Sequence, residues 1–409
     1  MTHVVVIGAG QAGGRAIEAL RGNGFTGPIT LIGAETHLPY ERPPLSKEML
    51  LDPASPKIDW VRPAAWYAEH NITLKLGQTA TKLDRGTKTI TLQDSTTISY
   101  DKLILATGTT PRKLAIPGGD HPRCICIRTL EDSEKLRPFM AQDSHIVVIG
   151  AGFIGLEAAA AARSHGAAVT VLEMAPRPMG RGVPATIGEL YAQLHRNKGV
   201  DLRLNTQISH IDGPDTEPQI HLADGTTLTA TAIVVGIGVL PEQDLATQAG
   251  LETNNGIVVN THAQTSDPDI YAAGDVTRHP NPLLGCDLRL ESWQNAQNQA
   301  IAAAKNIAGI PTTYAEIPWF WSDQYGINMQ ITGLPSDTAT EVTRGDLSTF
   351  QGLLFQLTGA KLTAAIGLNS PRDLRFAKNI IQAQIDVTPD ELANPAVKLQ
   401  DIAKRARPA

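Results

Sequence analysis

The stretches VVVIGAGQAGGRAIEAL, residues 4–20, and IVVIGAGFIGLEAAAAA, residues 146–162, decide the fold of this 409-residue chain. In each stretch a run of β-branched residues predicts a buried parallel strand, and the glycines predict a sharp turn into a helix. Glycines at these positions let a pyrophosphate approach the backbone at the positive end of the helix dipole. Because this fingerprint occurs twice, the sequence predicts two bound dinucleotides and electron transfer between them.

An acidic residue closes each fingerprint about twenty positions further on, where it can accept hydrogen bonds from a ribose. Glu35 ends TLIGAE, and Glu173 ends AAVTVLE. A glycine-rich turn in an ordinary α/β domain would explain one such unit, but it explains two units in register poorly.

Composition argues against several other classes of protein. The net charge of -6 disfavours a nucleic-acid binder, and only three cysteines disfavour a disulfide framework and favour a reducing cytoplasm. The eleven histidines form no HxxxH or HExxH pair, so no metal site is predicted. The longest apolar stretch is interrupted by the glycine turn, so no membrane span is predicted, and no signal peptide is expected before the first strand.

The order of predicted elements gives an α/β fold with three domains. Residues 1–110 and 239–316 form the first dinucleotide-binding domain, residues 111–238 the second, and residues 317–409 a C-terminal α+β domain. The return to the first domain rests on TSDPDIYAAGDVTR, a strand that ends at Gly274 and Asp275. In LSKEM, Ser46 is predicted to cap a short helix.

Several motifs, in the same order, resemble the FAD-dependent NAD(P)H:ferredoxin reductases of bacterial oxygenase systems, the family of putidaredoxin reductase and of the biphenyl and toluene dioxygenase reductases. These motifs are the two fingerprints, PYERPPLSK, LILATG, RTLED, VVGIG, DIYAAGD and ESWQNAQNQ. The resemblance spans nearly the whole chain. It implies the architecture of glutathione reductase, with an NADH-binding domain inserted into a two-segment FAD-binding domain.

The resemblance implies that the first fingerprint binds FAD. The residues that match flavin-binding positions are Gly8, Gly10, Gly13, Glu35, Arg42, Pro43, Pro44, Lys47, Ala80, Ala106, Thr107, Gly108, Arg128, Gly274, Asp275 and Trp293. Lys47, Trp293 and Trp321 would lie nearest the isoalloxazine ring as the candidate catalytic residues, since a nearby cation stabilises an anionic reduced ring. From the residues alone, Lys47 could be a surface lysine and Trp321 a core residue.

The second fingerprint matches NADH-binding positions of the same family. The matching residues are Gly150, Gly152, Phe153, Ile154, Gly155, Glu157, Glu173, Arg181, Gly236, Ile237 and Gly238. A carboxylate at Glu173 can accept both ribose hydroxyls of NADH but would repel the 2′-phosphate of NADPH. Arg181 lies downstream and leaves the strictness of that preference open.

The implied reaction is hydride transfer from NADH to FAD, followed by single-electron transfers to a [2Fe-2S] ferredoxin, expected to be Rieske-type, that feeds an oxygenase. Disulfide reductases of this architecture carry cysteine where this chain has PYERPPLSKEML, so electrons cannot leave through a thiol. Candidate basic residues for ferredoxin docking are Arg289, Arg372, Arg375 and Lys378. An NADH oxidase, a rubredoxin reductase and a redox sensor resembling apoptosis-inducing factor remain alternatives, and the chain could be a monomer or a homodimer.

Overall fold

The computed structural model describes residues 1–52 and 57–406, which divide into two compact units. Among the described residues, the first unit comprises residues 1–42, 58–110 and 239–316, and the second comprises residues 43–52, 57, 111–238 and 317–406. Each unit contains a parallel sheet whose central strand leads into a glycine fingerprint. The boundaries of the three predicted domains stay a prediction.

The first unit is built on a five-stranded parallel sheet. Its strands, in spatial order, are Ile270–Ala272, Lys102–Leu105, Val4–Ile7, Ile29–Gly33 and Ile72–Leu76. The helices of this unit are Gln11–Gly22, Ala64–Glu69, Asp244–Gln248 and Trp293–Ile307. Two smaller sheets contain the strands Ala80–Asp84, Thr89–Leu92 and Thr97–Ser99, and Ile257–Val258, Thr277–Asn281 and Cys286–Leu288. Short strands Thr109–Pro111 and Val239–Pro241 lie where the chain passes between units.

The central strand Val4–Ile7 is buried on both faces, which explains its uninterrupted β-branched sequence. Val4 and Val6 contribute to a hydrophobic cluster with the helices Gln11–Gly22 and Trp293–Ile307. Val5 and Ile7 contribute to a second cluster with residues of the small antiparallel sheet. The strand therefore fixes the glycine turn that follows it from two sides.

The second unit repeats this plan with a second parallel sheet. Its strands, in spatial order, are Asp201–Arg203, Ala168–Leu172, His145–Ile149, Ala232–Val235 and Cys124–Ile125. Its helices include Glu48–Leu51, Leu130–Leu136, Phe153–Ser164 and Ala185–Asn197, with 3-10 turns at Pro43–Ser46 and Arg137–Phe139. An antiparallel sheet of Ile208–Asp212, Gln219–Leu222 and Thr227–Thr229 completes this part.

The C-terminal part of the second unit is a five-stranded antiparallel sheet covered by helices. Its strands, in spatial order, are Trp319–Gln324, Ile327–Gly333, Lys361–Leu368, Gln351–Thr358 and Thr340–Asp346. The helices are Pro371–Gln382, Pro389–Ala393 and Leu399–Ala403, with 3-10 turns at Leu347–Thr349 and Lys404–Ala406. The predicted class, two Rossmann-like sheets and a C-terminal α+β part, is confirmed.

One local prediction is wrong. Ser46 does not cap a helix: it ends the 3-10 turn Pro43–Ser46, and the following helix begins at Glu48 with Lys47 at the N-cap position. The serine hydroxyl instead donates a hydrogen bond to Glu157. Within the described ranges, none of the helices combines the length and the apolar character needed to cross a bilayer.

Candidate functional site

The first fingerprint folds into a turn that only glycine can occupy. Gly8 has φ +111°, and a Cβ there would lie 2.1 Å from the Ala106 carbonyl oxygen. A Cβ at Gly13 would lie 1.8 Å from the Gly8 carbonyl oxygen, so the helix packs directly on the turn. Ala106 and Thr107 thus lie beside Gly8, as expected for residues that share one ligand site.

The start of the following helix offers polar groups suited to an anionic ligand. The N-cap residue of Gln11–Gly22 is Gly10, which provides no capping side chain for the first-turn N–H groups. The Gln11 amide is buried, 8% exposed, and neither its oxygen nor its nitrogen has a partner among the described residues. A dinucleotide pyrophosphate would accept from the first-turn N–H groups and from the Gln11 amide nitrogen, so this cradle fits the pyrophosphate of a dinucleotide such as FAD.

Glu35 is held by two side chains of the loop that follows it. Arg42 Nη2 lies 2.5 Å from Glu35 Oε1, and the Tyr40 hydroxyl donates to Glu35 Oε2 at 2.5 Å. Burial opposes the charge of Arg42, but Tyr40, Glu35 and Asp275 outweigh it and raise the pKa of the guanidinium. The structure therefore brings Glu35, Arg42 and Asp275 together near Gly10, whose Cβ position is 3.8 Å from Arg42.

The remaining flavin candidates of the first unit lie on separate elements. Gly274 has φ +89°, and its Cβ position is 3.0 Å from the Ala12 side chain at the start of the fingerprint helix. Trp293 begins the helix Trp293–Ile307, whose N-cap Ser292 accepts a hydrogen bond from the Asn295 N–H. Ala80 begins the strand Ala80–Asp84 and packs against the second hydrophobic cluster. Gly108, with φ +70°, accepts a backbone hydrogen bond from the Glu242 N–H.

The second fingerprint repeats the same close approach within the second unit. A Cβ at Gly150 would lie 2.5 Å from the Gly236 carbonyl oxygen, and one at Gly155 would lie 2.2 Å from the Gly150 carbonyl oxygen. Gly152 is the N-cap residue of Phe153–Ser164 and, like Gly10, provides no capping side chain. This cradle also fits a dinucleotide pyrophosphate.

Glu173 is fixed by backbone groups and not by side chains. Its Oε2 accepts a hydrogen bond from the Ala151 N–H at 2.7 Å, and its Oε1 accepts one from the Ala175 N–H at 2.9 Å. The carboxylate is thereby held against the glycine turn itself, where a nucleotide ribose is expected.

Other predicted NADH residues surround this turn in different ways. The Phe153 ring packs against Phe320 with ring centroids 4.6 Å apart, whereas Ile154 is 45% exposed on the first helical turn. Arg181 is exposed, and one guanidinium nitrogen lies 3.0 Å from the Cβ position of Gly238, which has φ +98°. Ile237 packs at the edge of the cluster beneath the parallel sheet.

A buried ion pair lies behind the second fingerprint. Lys47 Nζ is 3.0 Å from Glu157 Oε2, and the two residues are 8% and 4% exposed. The Pro43 carbonyl oxygen also accepts from Lys47 at 3.4 Å, and the Trp321 ring centroid lies 5.7 Å from Nζ. A buried charge needs such a partner, because an isolated ammonium in a low dielectric is strongly disfavoured.

Two serines complete the hydrogen bonding of the Glu157 carboxylate. The Ser46 hydroxyl donates to Oε2 at 2.5 Å, and the Ser322 hydroxyl donates to Oε1 at 2.6 Å. With Lys47, the carboxylate accepts three bonds from a 3-10 turn, a helix start and a C-terminal strand. Three attachments fix its orientation, and it in turn fixes Lys47.

The bonds continue from Ser322 to the helix Ala185–Asn197. Gln324 Nε2 donates to Ser322 Oγ at 3.0 Å, which leaves Gln324 Oε1 to accept from His195 Nε2 at 2.8 Å. His195 Nδ1 then accepts from the Tyr325 hydroxyl at 3.3 Å. Burial lowers the pKa of His195 to about 4, opposed by its bond to Gln324, so the imidazole is neutral near pH 7.

A cleft borders this buried series of hydrogen bonds. It has a volume of about 310 Å³, and its lining includes Ser46, Lys47, Glu157, Lys198 and Tyr325. The predicted candidates Lys47, Glu157 and Trp321 are thus brought together. Arg128 precedes the capping box that Thr129 forms with Asp132, and its N–H donates to the Asp132 carboxylate.

Sequence reasoning missed Ser46, Ser322, Gln324 and His195. LSKEM matches the local pattern of a helix cap, which is why the sequence predicts a capping role for Ser46. A pattern among neighbouring residues contains no information about a hydrogen-bond partner 111 positions away. Ser322 and Gln324 lie in WFWSDQ, where alternation along the strand places both polar side chains on one face. That alternation was the available signal.

Comparison with known proteins identifies the family to which the chain belongs. Residues 2–300 match the family model described as Pyridine nucleotide-disulphide oxidoreductase, and residues 319–403 match the one described as Reductase C-terminal. The chain is 42% identical over 397 residues to the "Anthranilate 1,2-dioxygenase system ferredoxin--NAD(+) reductase component" of Burkholderia cepacia, which covers 97% of this chain and 98% of that protein.

Two further proteins resemble the chain over nearly its full length. It is 41% identical over 392 residues to "Rhodocoxin reductase" of Rhodococcus erythropolis, covering 96% of this chain and 92% of that protein. Its fold matches the "Crystal structure of the covalent putidaredoxin reductase-putidaredoxin complex" with a TM-score of 0.95, 37% identity and coverage of 99% of both chains.

Proposed function

Since the chain belongs to the pyridine nucleotide-disulphide oxidoreductase family, we propose that it is an NADH:ferredoxin reductase that passes electrons through FAD to a [2Fe-2S] ferredoxin of an oxygenase system. The observation that carries this proposal is the buried Lys47–Glu157 pair, whose lysine lies within PYERPPLSKEML, the segment where disulfide reductases of this architecture carry cysteine. Because PYERPPLSKEML holds no cysteine that could take up the electrons, the reduced flavin requires an external electron acceptor.

The first fingerprint is the proposed FAD site. Its cradle of Gly8, Gly10 and Gly13 and the unsatisfied Gln11 amide fit a pyrophosphate. Asp275 would accept hydrogen bonds from the ribityl hydroxyls, and Arg42 would offset the pyrophosphate charge. FAD, when bound, supplies a hydride acceptor that can release its electrons singly.

The second fingerprint is the proposed NADH site. Glu173, held against the Gly150 turn by two backbone N–H groups, is oriented to accept ribose hydroxyls. A fixed carboxylate cannot swing away from a 2′-phosphate without losing those bonds, so its charge selects NADH over NADPH. The exposed Arg181 is the residue that could moderate this preference.

Lys47 is the proposed electrostatic residue of the reaction. Glu157, itself oriented by Ser46 and Ser322, holds the Lys47 ammonium in place, so the ammonium stabilises developing negative charge without reorganisation. Lys47→Met should slow flavin reduction by NADH and lower the flavin midpoint potential. Lys57→Met is the control, since it removes a lysine outside the buried pair.

The partner is proposed to be a Rieske-type [2Fe-2S] ferredoxin of an aromatic-ring dioxygenase, and the location the cytoplasm. Similarity to a reductase component of the anthranilate dioxygenase system supports the dioxygenase, and similarity to a reductase joined covalently to putidaredoxin supports docking of a small redox protein. Arg289 is paired with Glu291 at 2.7 Å, so the stronger basic candidates are Arg372, Arg375 and Lys378 on the helix Pro371–Gln382.

The decisive experiment uses the FAD-loaded chain with NADH and a panel of acceptors. We expect fast reduction of a [2Fe-2S] ferredoxin, read from cytochrome c, and slow reduction of rubredoxin and oxygen. Oxygen consumption faster than ferredoxin reduction would identify an NADH oxidase, and preference for rubredoxin would identify a rubredoxin reductase. A long-lived charge-transfer complex with slow turnover for every acceptor would favour a redox sensor.

Salt dependence tests the docking surface separately. Ferredoxin reduction should slow as the Debye length shrinks to about 8 Å at physiological ionic strength, while ferricyanide reduction should barely change. Arg375→Glu with Lys378→Glu should reproduce the high-salt rate at low salt. Arg196→Glu, on the helix Ala185–Asn197, is the matched control. A wild-type rate in the double variant would move docking elsewhere, with contact around Trp321 the next candidate.

A further inference from the structure

The outer face of the small antiparallel sheet in the second unit holds two histidines and an aspartate. His210 and His221 are direct cross-strand partners, and Asp212 lies two residues beyond His210 on the same face. Ile211 and Ile220, which alternate with them, are 3% and 0% exposed and pack into the core beneath. The buried isoleucines therefore anchor the strands that present the three polar side chains.

The donor atoms of these side chains converge. The two imidazole rings stack with centroids 4.2 Å apart and an interplanar angle of 5°. Asp212 Oδ1 is 2.8 Å from His221 Nε2, and Asp212 Oδ2 is 3.8 Å from His210 Nε2. One ligand atom from each of the three residues lies within 4.8 Å of the others. Both Nε2 atoms thus face one carboxylate.

The other nitrogen of each ring meets a hydroxyl group. His210 Nδ1 is 3.2 Å from Ser209 Oγ, and His221 Nδ1 is 3.0 Å from Thr227 Oγ1. Metal-binding histidines commonly engage their second nitrogen in this way, because the outer hydrogen bond fixes the tautomer and the ring orientation. The hydroxyls hold Nδ1 and leave Nε2 as the donor to a metal.

We propose that His210, Asp212 and His221 form a binding site for a divalent first-row transition metal ion such as Zn²⁺ or Co²⁺. Two imidazoles and a carboxylate are ligands that such ions prefer, whereas Mg²⁺ and Ca²⁺ prefer oxygen alone. Ligand atoms of a tetrahedral zinc lie about 3.3 Å apart. Rotation of partly exposed side chains closes the remaining gap, and water completes the coordination sphere.

The site is independent of the proposed electron transfer, since none of its residues belongs to either fingerprint. A bound ion would bridge the strands Ile208–Asp212 and Gln219–Leu222, and it would stabilise the second unit by an amount that grows with the ratio of free ion concentration to dissociation constant. The proposed ligand is a small inorganic cation, and its expected effect is a larger free energy of unfolding.

Calorimetric titration of Zn²⁺ into the tag-free, FAD-loaded full chain tests the site. The Cys286→Ser background is used because Cys286 is an exposed free thiol that could bind zinc itself. We expect one saturable zinc site per chain. Asp212→Asn should weaken zinc binding at least tenfold, because loss of even a hydrogen-bond partner of a metal ligand typically weakens metal binding by about tenfold or more. Asp224→Asn, an exposed turn position of the same sheet, should bind like the parent.

Thermal unfolding provides a second readout. Zn²⁺ should raise the melting temperature of the parent and of Asp224→Asn but not that of His210→Ala with His221→Ala. If the double alanine variant does not fold, the comparison of Asp212→Asn with Asp224→Asn decides alone. Equal zinc affinity in those two variants, or no saturable binding in the parent, would overturn the site.

Discussion

The two glycine fingerprints share one backbone geometry but hold their closing acids differently. In the first, Glu35 is bound by the side chains of Arg42 and Tyr40. In the second, Glu173 is bound by the backbone N–H groups of Ala151 and Ala175. The first arrangement depends on side chains from a following loop, whereas the second is fixed by the turn itself.

The fold of each cradle requires the glycines, whereas the partners of the closing acid differ between the two proposed ligands. Both cradles need glycine, because a Cβ at Gly13 or at Gly155 would come within 1.8 or 2.2 Å of a carbonyl oxygen. The surroundings of the acid then distinguish the sites. A charged pair and Asp275 surround the proposed flavin site, and a carboxylate fixed by backbone N–H groups lies at the proposed NADH site.

The largest expected effect comes from adding one methyl group to each cradle. Gly13→Ala should abolish flavin retention, and Gly155→Ala should keep the flavin but abolish NADH binding, because each Cβ would overlap the turn. Flavin absorbance per chain after gel filtration and flavin reduction by NADH measure the two losses. Gly22→Ala, at a position with nothing within 4 Å of the Cβ, is the control. The reverse pattern of losses would exchange the two assignments.

The next effect concerns Asp275, which has no counterpart among the predicted NADH residues. Asp275→Ala should weaken flavin binding by about 1.5–3 kcal/mol, the typical loss of a hydrogen bond to a charged group. Flavin occupancy during dilution measures it. Asp94→Ala, an exposed turn aspartate of the same unit, should keep full occupancy. Undiminished flavin in Asp275→Ala would remove Asp275 from the site.

Replacing the two closing acids one at a time sharpens the comparison further. Glu173→Ala should narrow the ratio of kcat/KM for NADH over NADPH about tenfold, which corresponds to about 1.4 kcal/mol. Glu35→Ala should lower flavin occupancy and leave that ratio unchanged in the molecules that retain flavin. Steady-state kinetics with both nucleotides give the ratio. An unchanged ratio in Glu173→Ala would transfer selectivity to Arg181.

The last comparison is between one buried histidine in each unit. Burial lowers the pKa of His195 in the second unit and of His279 in the first to about 4. Unfolding restores a pKa near 6.5, so the unfolded chain binds more protons and stability falls as the pH drops from about 6.5 to 4. Each histidine contributes at most about 1.4 kcal/mol per pH unit.

Urea unfolding between pH 7 and pH 4.5 measures this slope. His195→Gln and His279→Gln should each flatten it by a similar amount, because the two imidazoles are 0% and 2% exposed. A slope that neither variant changes would assign acid sensitivity to other groups.

Local sequence predicted the fold class, both fingerprints and their closing acids, because strand, turn and helix signals lie within about thirty residues. The site assignments for Lys47 and Trp321 needed resemblance to a family, since either residue alone has an ordinary structural explanation. The partners of Glu157 could not be predicted, because Ser46 and Ser322 are 111 and 165 positions from it.

The sequence by itself determined where the backbone turns, because glycine is the one residue whose missing Cβ permits those turns. The positions of the glycines can be read directly from the sequence. Only the tertiary structure decided which polar groups meet. His210 and His221, eleven positions apart in a chain without a recognisable metal motif, stack because antiparallel pairing sets them opposite each other. The Glu157 carboxylate is the centre of a buried network, because packing brings a 3-10 turn and a C-terminal strand against the helix Phe153–Ser164.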